Sequence, residues 1–237
     1  MTATAPLHRL GQAVRGLALR ALLPLMVKRQ PLPDLLARLD RPDPAATPAA
    51  DDPRRLAERL FQPLRFWPTT CLYRALGSYA LLRAAGQEVR FVIGVSKAGG
   101  DLVAHAWLER DGRAIIDRPG PGGHYAVAYA WPADPAMLRR HTEAASVTGI
   151  TQSDDAVLTE LQDGTGVLLH LTTRFYFTLN PTGVQAWKLV GAGARDAGEL
   201  ASRLAAGFPG ADPDRVRADV DALLADLERE SLIVVRK

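Results

Sequence analysis

The sequence predicts an α+β protein of two domains, each built from helices and a small antiparallel sheet. In the first part, one helix is followed by stretches with the alternation of strands, and in the last part three short strands precede three helices. Polar, proline-containing stretches separate these parts. We therefore expect an N-terminal helical arm and linker at residues 1–50, one domain at 51–135 and a second at 156–237.

The composition is that of an ordinary globular protein, with 47% hydrophobic and 23% charged residues in 237. A single cysteine excludes an internal disulfide and suits a reducing compartment, so we expect a cytoplasmic protein. The net charge of +3 is too small to indicate nucleic-acid binding. No His/Cys cluster is present, so we expect neither a metal nor another cofactor.

The N-terminal arm is rich in leucine and is basic, with seven Lys or Arg against three Asp up to residue 50. Its basic residues interrupt the apolar run, which argues against a signal peptide or a membrane span. Contact with a partner enzyme or a membrane face is one role, and a helical layer over the next domain is the role we favour. We expect helix breaks at its prolines, Pro6, Pro24, Pro31 and Pro33.

Cys71 stands at the predicted start of a helix. Thr69 or Thr70 can cap this helix, and apolar residues recur at three- and four-residue steps until Gly86 ends the pattern. The unpaired backbone N–H groups and the dipole of a helix start favour an anion. A cysteine that serves packing alone does not need this position, so the pattern favours a nucleophilic thiolate.

Two predicted strands at 102–109 and 113–117 carry His105 and Asp117. Thiol, imidazole and carboxylate are the parts of a cysteine-nucleophile site: the thiolate attacks, the imidazole transfers the proton and the carboxylate orients the imidazole. Each residue alone fits a buried structural role better, but their combination favours catalysis.

The hairpin turn decides whether His105 and Asp117 share a face. A two-residue Asp-Gly turn would direct them to opposite faces. A three-residue loop with Gly112 in the left-handed conformation pairs Glu109 with Arg113 and sets His105 opposite Asp117, with Cβ atoms about 5 Å apart. We predict the three-residue loop.

Three further residues are weaker candidates for this site. Gln62 could donate a hydrogen bond to an oxyanion, and Trp67 could form a pocket wall. His124 follows a Pro/Gly turn and is a less favoured alternative base.

Several motifs of the first domain resemble those of the transglutaminase-like leader peptidases of lasso-peptide biosynthesis. They are Cys71-Leu-Tyr-Arg-Ala-Leu, the strand Val89–Val95, His105-Ala-Trp-Leu-Glu and the Asp-Gly-Arg turn, within roughly residues 55–130. The resemblance implies a papain/transglutaminase-like fold in which Cys71, His105 and Asp117 remove the leader from a ribosomally made precursor. It also implies an ATP-dependent lasso cyclase as the partner that receives the core peptide.

The last part of the chain has the pattern of a winged-helix-like domain. Predicted strands at 159–162, 166–171 and 174–179 precede helices that start at Asn180-Pro181, near Ala197 and at Asp212-Pro213. An acidic third helix makes DNA a poor ligand, so we favour a peptide.

This second domain resembles the PqqD-like precursor-recognition domain, through motifs such as Val167-Leu-Leu-His-Leu and Tyr176-Phe-Thr-Leu-Asn. The resemblance implies that the leader peptide adds as a strand beside the third strand and packs against the third helix. The implied leader-binding residues are Phe175, Tyr176, Phe177, Arg217, Val220, Asp221 and Leu224.

Together these inferences predict a cysteine peptidase that binds and removes the leader of a lasso-type precursor. Two alternatives remain open. An amine instead of water could take the acyl group from the same thioester, which would make the protein a transamidase. The chain could also be a non-catalytic chaperone that only binds the precursor, in which case Cys71→Ala leaves processing intact.

Overall fold

The structure is a computed structural model that describes residues 4–42, 53–62, 70–98, 101–120, 124–132 and 149–236. The chain divides into two compact units, Met1–Ala133 and Asp134–Lys237. Both units combine helices with antiparallel strands, so the α+β class predicted from the sequence is confirmed.

The described part of the first unit places its helices before its strands. The elements are α1 (Thr4–Arg29), α2 (Leu32–Leu39), α3 (Pro53–Leu60), α4 (Cys71–Ala84), β1 (Arg90–Ala98), β2 (Asp101–Arg110), β3 (Arg113–Ile116) and β4 (Ala126–Trp131). The four strands form one antiparallel sheet in the order β3-β2-β1-β4. This is the predicted helix with a small antiparallel sheet.

Helix α4 is the centre of this unit. On one side Tyr79 meets Phe91 of β1 edge-on, with ring centroids 6.5 Å apart. On another side Gly77 lies against Phe61, so close that a Cβ at this glycine would stand 2.1 Å from the ring. Helices α1, α2 and α3 also pack on α4. The helix that carries Cys71 is therefore fixed by packing over most of its length.

Helix α1 is continuous through Pro6 and Pro24, so the breaks predicted at these two prolines are wrong. Leu23, directly before Pro24, and Val27, three residues after it, are only 1% and 5% exposed. An interior proline costs a helix about 3 kcal/mol, whereas burying two aliphatic side chains contributes about 3–6 kcal/mol. Packing therefore outweighs the lost hydrogen bond, and this face of α1 is the covering layer that the sequence favoured.

The β2–β3 turn is a two-residue turn, so the predicted three-residue loop is wrong. Asp111 and Gly112 both have positive φ, 50° and 71°. Two residues in this conformation match the right-handed twist of the flanking strands. Glu109 consequently pairs with Ala114 instead of Arg113.

The second unit combines short strands with three helices in its described part. Along the chain the elements are β5 (Gly149–Gln152), β6 (Ala156–Glu160), β7 (Gly166–His170), β8 (Tyr176–Leu179), α5 (Pro181–Gly191), α6 (Ala197–Ala205), α7 (Pro213–Arg229) and β9 (Ile233–Arg236). Strands β6, β7 and β8 form a sheet in that order. Leu168 of β7, Trp187 of α5 and Val220 of α7 are buried in one core. The predicted three strands and three helices are confirmed.

The sequence did not predict the pair of β5 with β9. Ile150 of β5 pairs with Val235, and Gln152 pairs with Ile233. Ile150 and Ile233 are buried, so the pair contributes to the core of this unit. Each strand has only four residues, and the β-branched run before the C-terminus was the available signal.

Candidate active site and apolar groove

Cys71 is the first residue of α4, as predicted. Thr70 has the extended backbone of an N-cap, and its Oγ1 accepts a hydrogen bond from the backbone N–H of Tyr73 at 3.5 Å. Cys71 itself is partly exposed. The local sequence thus sets the thiol beside the unpaired N–H groups of a helix start, at the protein surface.

A bulge in β3 determines where Asp117 lies. Glu109 pairs with Ala114, but the next pair joins Leu108 to Ile116, so one residue of β3 is extra. Asp117 follows with a φ of 54°, a left-handed conformation that aspartate tolerates better than most residues. This backbone directs the carbonyl and the carboxylate of Asp117 to different partners.

His105 contacts the backbone carbonyl of Asp117, with 2.7 Å between Nε2 and the oxygen. A carbonyl oxygen only accepts hydrogen bonds, so Nε2 carries the proton. In a neutral imidazole the second nitrogen, Nδ1, then has the free lone pair. The two residues meet as the sequence predicted, but through the carbonyl, because the predicted pairing register is wrong. Within the described residues, no hydrogen bond joins the Asp117 carboxylate to the imidazole.

Two aromatic rings hold the imidazole of His105. The Trp107 ring stacks on it, with centroids 6.1 Å apart and planes 18° apart, and the Tyr125 ring lies at 5.9 Å. Trp107 in turn donates from Nε1 to Oε1 of Glu109 at 2.7 Å. Burial lowers the pKa of His105, and the nearby charge of Arg74 lowers this pKa further. Both effects favour the neutral ring, the state that can accept a proton.

Arg74 binds the carboxylate of Asp117. Its Nε donates to Oδ2 at 2.7 Å, and a second guanidinium nitrogen contacts Oδ1. The Asp117 side chain is only 11% exposed, so water screens this pair less than a surface ion pair. Arg74 lies one helical turn after Cys71, on the same side of α4. This arginine is not among the site residues predicted from the sequence, although the Cys-x-x-Arg spacing places it next to the thiol on the helix.

Cys71 and His105 are linked indirectly. Leu108 of β2 pairs with Phe91, the residue that meets Tyr79 of α4. Leu108 and Phe91 therefore share the sheet face that packs on α4. Since side chains alternate along a strand, His105, three residues before Leu108, lies on the opposite face of the sheet. Among the described residues, Cys71 makes no hydrogen bond to His105. The link runs through the ion pair just described.

A cavity of about 310 Å³ opens beside this ion pair. Gln62, the candidate oxyanion donor, lines it together with Arg74 and Asp117. Trp67 lies outside the described residues, and His124 is exposed. The remaining lining residues are Ala57, Glu58, Phe61, Ser78 and Ile116. In the part of the chain that the structure describes, no group of three or more His, Cys, Asp or Glu could hold a metal ion.

The second unit has an apolar groove of about 580 Å³ between β8 and α7. In the described sheet β8 is an edge strand, so one row of its backbone groups has no strand partner there. Helix α7 lines the groove with three aliphatic residues and two aspartates that recur at three- and four-residue steps on one helix face: Val216, Asp219, Val220, Leu223 and Asp226. An edge strand beside an apolar helix face is an arrangement that can bind an extended peptide.

Phe177 and Val220 are the two predicted leader-binding residues that line this groove. The other predicted residues lie outside it: Phe175, Tyr176, Arg217, Asp221 and Leu224. Arg217 and Asp221 form an exposed ion pair at 3.0 Å, and Leu224 is buried in the core. The predicted strand and helix therefore both line the groove, whereas most of the individual residues predicted on them do not.

Two family models match parts of the chain. Residues 8–130 match the family model described as the transglutaminase-like superfamily. Residues 165–233 match the model of coenzyme PQQ synthesis protein D, PqqD. No curated protein matches the chain. A solved structure described as TbiB1 in complex with the TbiA(beta) leader peptide is 31% identical, covers 35% of this chain and 93% of that chain, and has a TM-score of 0.32.

The two family matches support the predicted architecture of a lasso-peptide B protein, in which a transglutaminase-like domain precedes a PqqD-like domain. The first match begins at residue 8, so it takes in α1 and α2 as well as the Cys71 helix and the sheet. It spans more than half of the 237 residues. The chain therefore belongs to the transglutaminase-like superfamily.

Proposed function

We propose that this protein is a cytoplasmic cysteine peptidase that binds the leader of a lasso-type precursor and cuts it from the core peptide. One observation carries the proposal: the contacts from His105 to Asp117 and from Asp117 to Arg74 tie an imidazole to the first turn of the helix that begins at Cys71. We assign the peptidase to residues 51–135 and leader recognition to residues 156–237.

In the proposed reaction the Cys71 thiol gives its proton to Nδ1 of His105, and Sγ attacks the scissile carbonyl. The tetrahedral intermediate expels the amine of the core peptide, which takes the proton from Nδ1, and the leader remains on Sγ as a thioester. Water then adds to the thioester and gives a proton to Nδ1. The leader leaves with a free carboxylate, and the thiol recovers its proton.

In a site where the aspartate carboxylate binds the histidine, the carboxylate itself orients the imidazole. Here Asp117 and Arg74 share that task. The carbonyl of Asp117 fixes the tautomer that leaves Nδ1 free, while Arg74 fixes Asp117 through its carboxylate. Arg74 is thus a positioning residue. The reaction also needs Sγ and Nδ1 within hydrogen-bond reach. His105 lies on the sheet face opposite to the one that meets Tyr79 of α4, so the proposal requires that the substrate complex brings these two atoms together.

Leader recognition is assigned to the groove between β8 and α7. The leader would pair with the β8 edge and insert an apolar side chain against Phe177, Val216 and Val220. The solved structure of TbiB1 is a complex of that protein with a leader peptide. Tethering by the leader would raise the effective concentration of the cleavage site to the order of mM. We propose an ATP-dependent lasso cyclase as the partner that takes up the released core.

The experiment is mass spectrometry of the precursor peptide encoded alongside this chain, incubated with the wild type or with Cys71→Ala. We expect the wild type to release the leader, and the variant to bind the precursor without cutting it. Cleavage by the variant would exclude Cys71 as the nucleophile. Binding without cleavage by both proteins would leave a recognition protein with no peptidase activity.

Membership of the transglutaminase-like superfamily favours one second candidate, transamidation. Here an amine instead of water would take the acyl group from the Cys71 thioester. The same assay with an added primary amine distinguishes the two reactions. A leader that ends in a free carboxylate indicates hydrolysis, and a leader whose mass has increased by the amine, less water, indicates transamidation.

A further inference from the structure

Helix α1 has a second apolar face that the first unit does not bury. Four large aliphatic side chains on it are exposed: Val14 by 58%, Leu17 by 57%, Leu22 by 52% and Leu25 by 45%. They recur at intervals of three to five residues, with exposed alanines between them, so they form one stripe. We call these four residues the outer stripe. Contiguous apolar surface of this kind marks an interaction site more often than scattered exposed residues do.

The opposite face of the same helix accounts for its packing. Leu23 and Val27 are buried, and Gly16 is so close to Leu60 of α3 that a Cβ would stand 2.4 Å away. Arg20 on this face donates to the backbone carbonyls of Leu60 and Gln62. Packing of the first unit therefore explains the inner face and leaves the outer stripe without a function.

The charged residues of the arm before Asp34 have one sign. The first 33 residues contain five basic residues and no Asp or Glu. Arg15 is exposed along one edge of the stripe, and Lys28 and Arg29 are exposed at its C-terminal end. An aliphatic stripe with cations at its edge complements a surface that is apolar below and anionic above, which is the interface of a bilayer that contains acidic lipids.

A bilayer surface fits this face better than a protein partner does. The centres of protein interfaces are enriched in aromatic side chains and Arg, whereas the outer stripe contains only aliphatic residues. It extends from Val14 to Leu25, about 16 Å along the helix axis. None of the described helices combines the length and apolarity needed to cross a bilayer. The helix would therefore lie along the membrane surface.

We propose that α1 docks this protein on an anionic membrane surface, with the outer stripe at the level of the acyl chains and Arg15, Lys28 and Arg29 against lipid phosphates. This inference does not depend on the peptidase activity. From the sequence, packing and membrane contact are alternative roles of the arm. In the structure they belong to opposite faces of one helix and are compatible.

The test is sedimentation of the full chain with vesicles. One set is pure phosphatidylcholine, and the other has one third of it replaced by phosphatidylglycerol. We expect binding to the phosphatidylglycerol vesicles that weakens as salt is raised, because exposed charges are screened, and little binding to phosphatidylcholine alone. No binding to either set at low salt would overturn the proposal, as would equal binding to both.

Leu17→Glu/Leu25→Glu is the diagnostic double variant, and Val234→Glu/Val235→Glu is its matched control. The control valines are each 41% exposed and lie in the other unit, on β9. Both variants add two negative charges at exposed aliphatic positions. We expect the α1 variant to lose vesicle binding by about tenfold or more and the control to keep most of it. Equal losses would mean that net charge alone governs binding, and the assigned face would be wrong.

Two further measurements keep the test decisive if the double variant does not fold by circular dichroism. Leu22→Trp adds a reporter to the outer stripe, and its difference emission spectrum should shift to the blue with phosphatidylglycerol vesicles only. An unshifted spectrum contradicts the proposal. Light scattering of lipid-free protein tests whether a second copy of the chain binds the outer stripe instead. If the wild type is a dimer that Leu22→Glu dissociates, the stripe is a contact between two copies, and membrane docking is overturned.

Discussion

The candidate active site and the peptide groove are built by different physical means. In the first unit a few polar atoms fix the site. The carbonyl of Asp117 accepts a hydrogen bond from His105, and the guanidinium of Arg74 binds the carboxylate of Asp117. In the second unit a strand edge and a helix face with three aliphatic side chains form the groove. Hydrogen-bonded geometry depends on individual atoms, whereas an apolar groove spreads its contribution over many contacts. We therefore expect single substitutions to affect the active site more strongly than the groove.

The largest effect after loss of Cys71 should come from Arg74. We expect Arg74→Gln to lower kcat/KM for precursor cleavage by about 100-fold, because Asp117 would lose the partner that fixes it and displaced catalytic groups cost about that much. Arg74→Lys should recover only part of the rate, since lysine cannot form the two-point contact.

Arg83→Gln is the matched control for this variant. Arg83 lies on the same helix and pairs with Asp40 at 2.5 Å, away from Cys71. The Arg83→Gln variant should have a lower thermal stability and a nearly unchanged kcat/KM. Equal losses of rate in the two variants would show that Arg74 acts only through the stability of α4.

The next effect, a roughly tenfold loss of affinity for the leader, should come from Phe177 in the groove. Removing its ring takes apolar contact from the groove, and we expect Phe177→Ala to weaken leader binding by roughly that factor in fluorescence anisotropy. Phe175→Ala is the control, because this ring is 54% exposed and lies outside the groove. Weaker binding in the Phe175 variant alone would place the leader elsewhere on the sheet.

The pH dependence gives a smaller effect that concerns the active site alone. Burial and the charge of Arg74 both lower the pKa of His105, so the base stays neutral to a lower pH than an ordinary imidazole does. We expect the acidic limb of kcat/KM to lie below the ordinary imidazole value. Arg74→Gln removes one of the two causes and should move the limb to higher pH. A limb that stays in place would mean that His105 is not the titrating group.

The smallest effect on activity should come from Gly77, which belongs to the scaffold of the site. Ala at this position would meet the Phe61 ring at 2.1 Å, and overpacking of this kind costs about 1–3 kcal/mol. We expect Gly77→Ala to lower the free energy of unfolding in urea by about that amount while kcat at low temperature changes little. A stabilised variant would show that Phe61 moves aside at no cost.

The sequence predicted best those features that depend on near neighbours. The caps Thr70 and Asn180 each lie three residues from the N–H group they bind, and both helices start as expected. The Asp111-Gly112 turn was harder, since both turn lengths fit the same residues and the difference lies in two backbone angles.

Features that join distant parts of the chain could not be predicted in the same way. Arg74 and Asp117 are 43 residues apart, and their contact depends on the bulge in β3, which strand patterns do not show. The face of α7 that lines the groove depends on how α6 packs beside it. The family resemblance did not carry this packing, and it placed Leu224 among the leader-binding residues although this side chain is buried in the core.

The central claim is that Cys71 carries the leader as a thioester, and intact-protein mass spectrometry of an acid-quenched reaction tests it most directly. The account predicts an adduct during turnover that adds the mass of the leader less one water, located on the peptide that contains Cys71 and removed by hydroxylamine. Cys71→Ala should bind the precursor and show no adduct. Leader release without any adduct, or an adduct that persists in Cys71→Ala, would contradict the account.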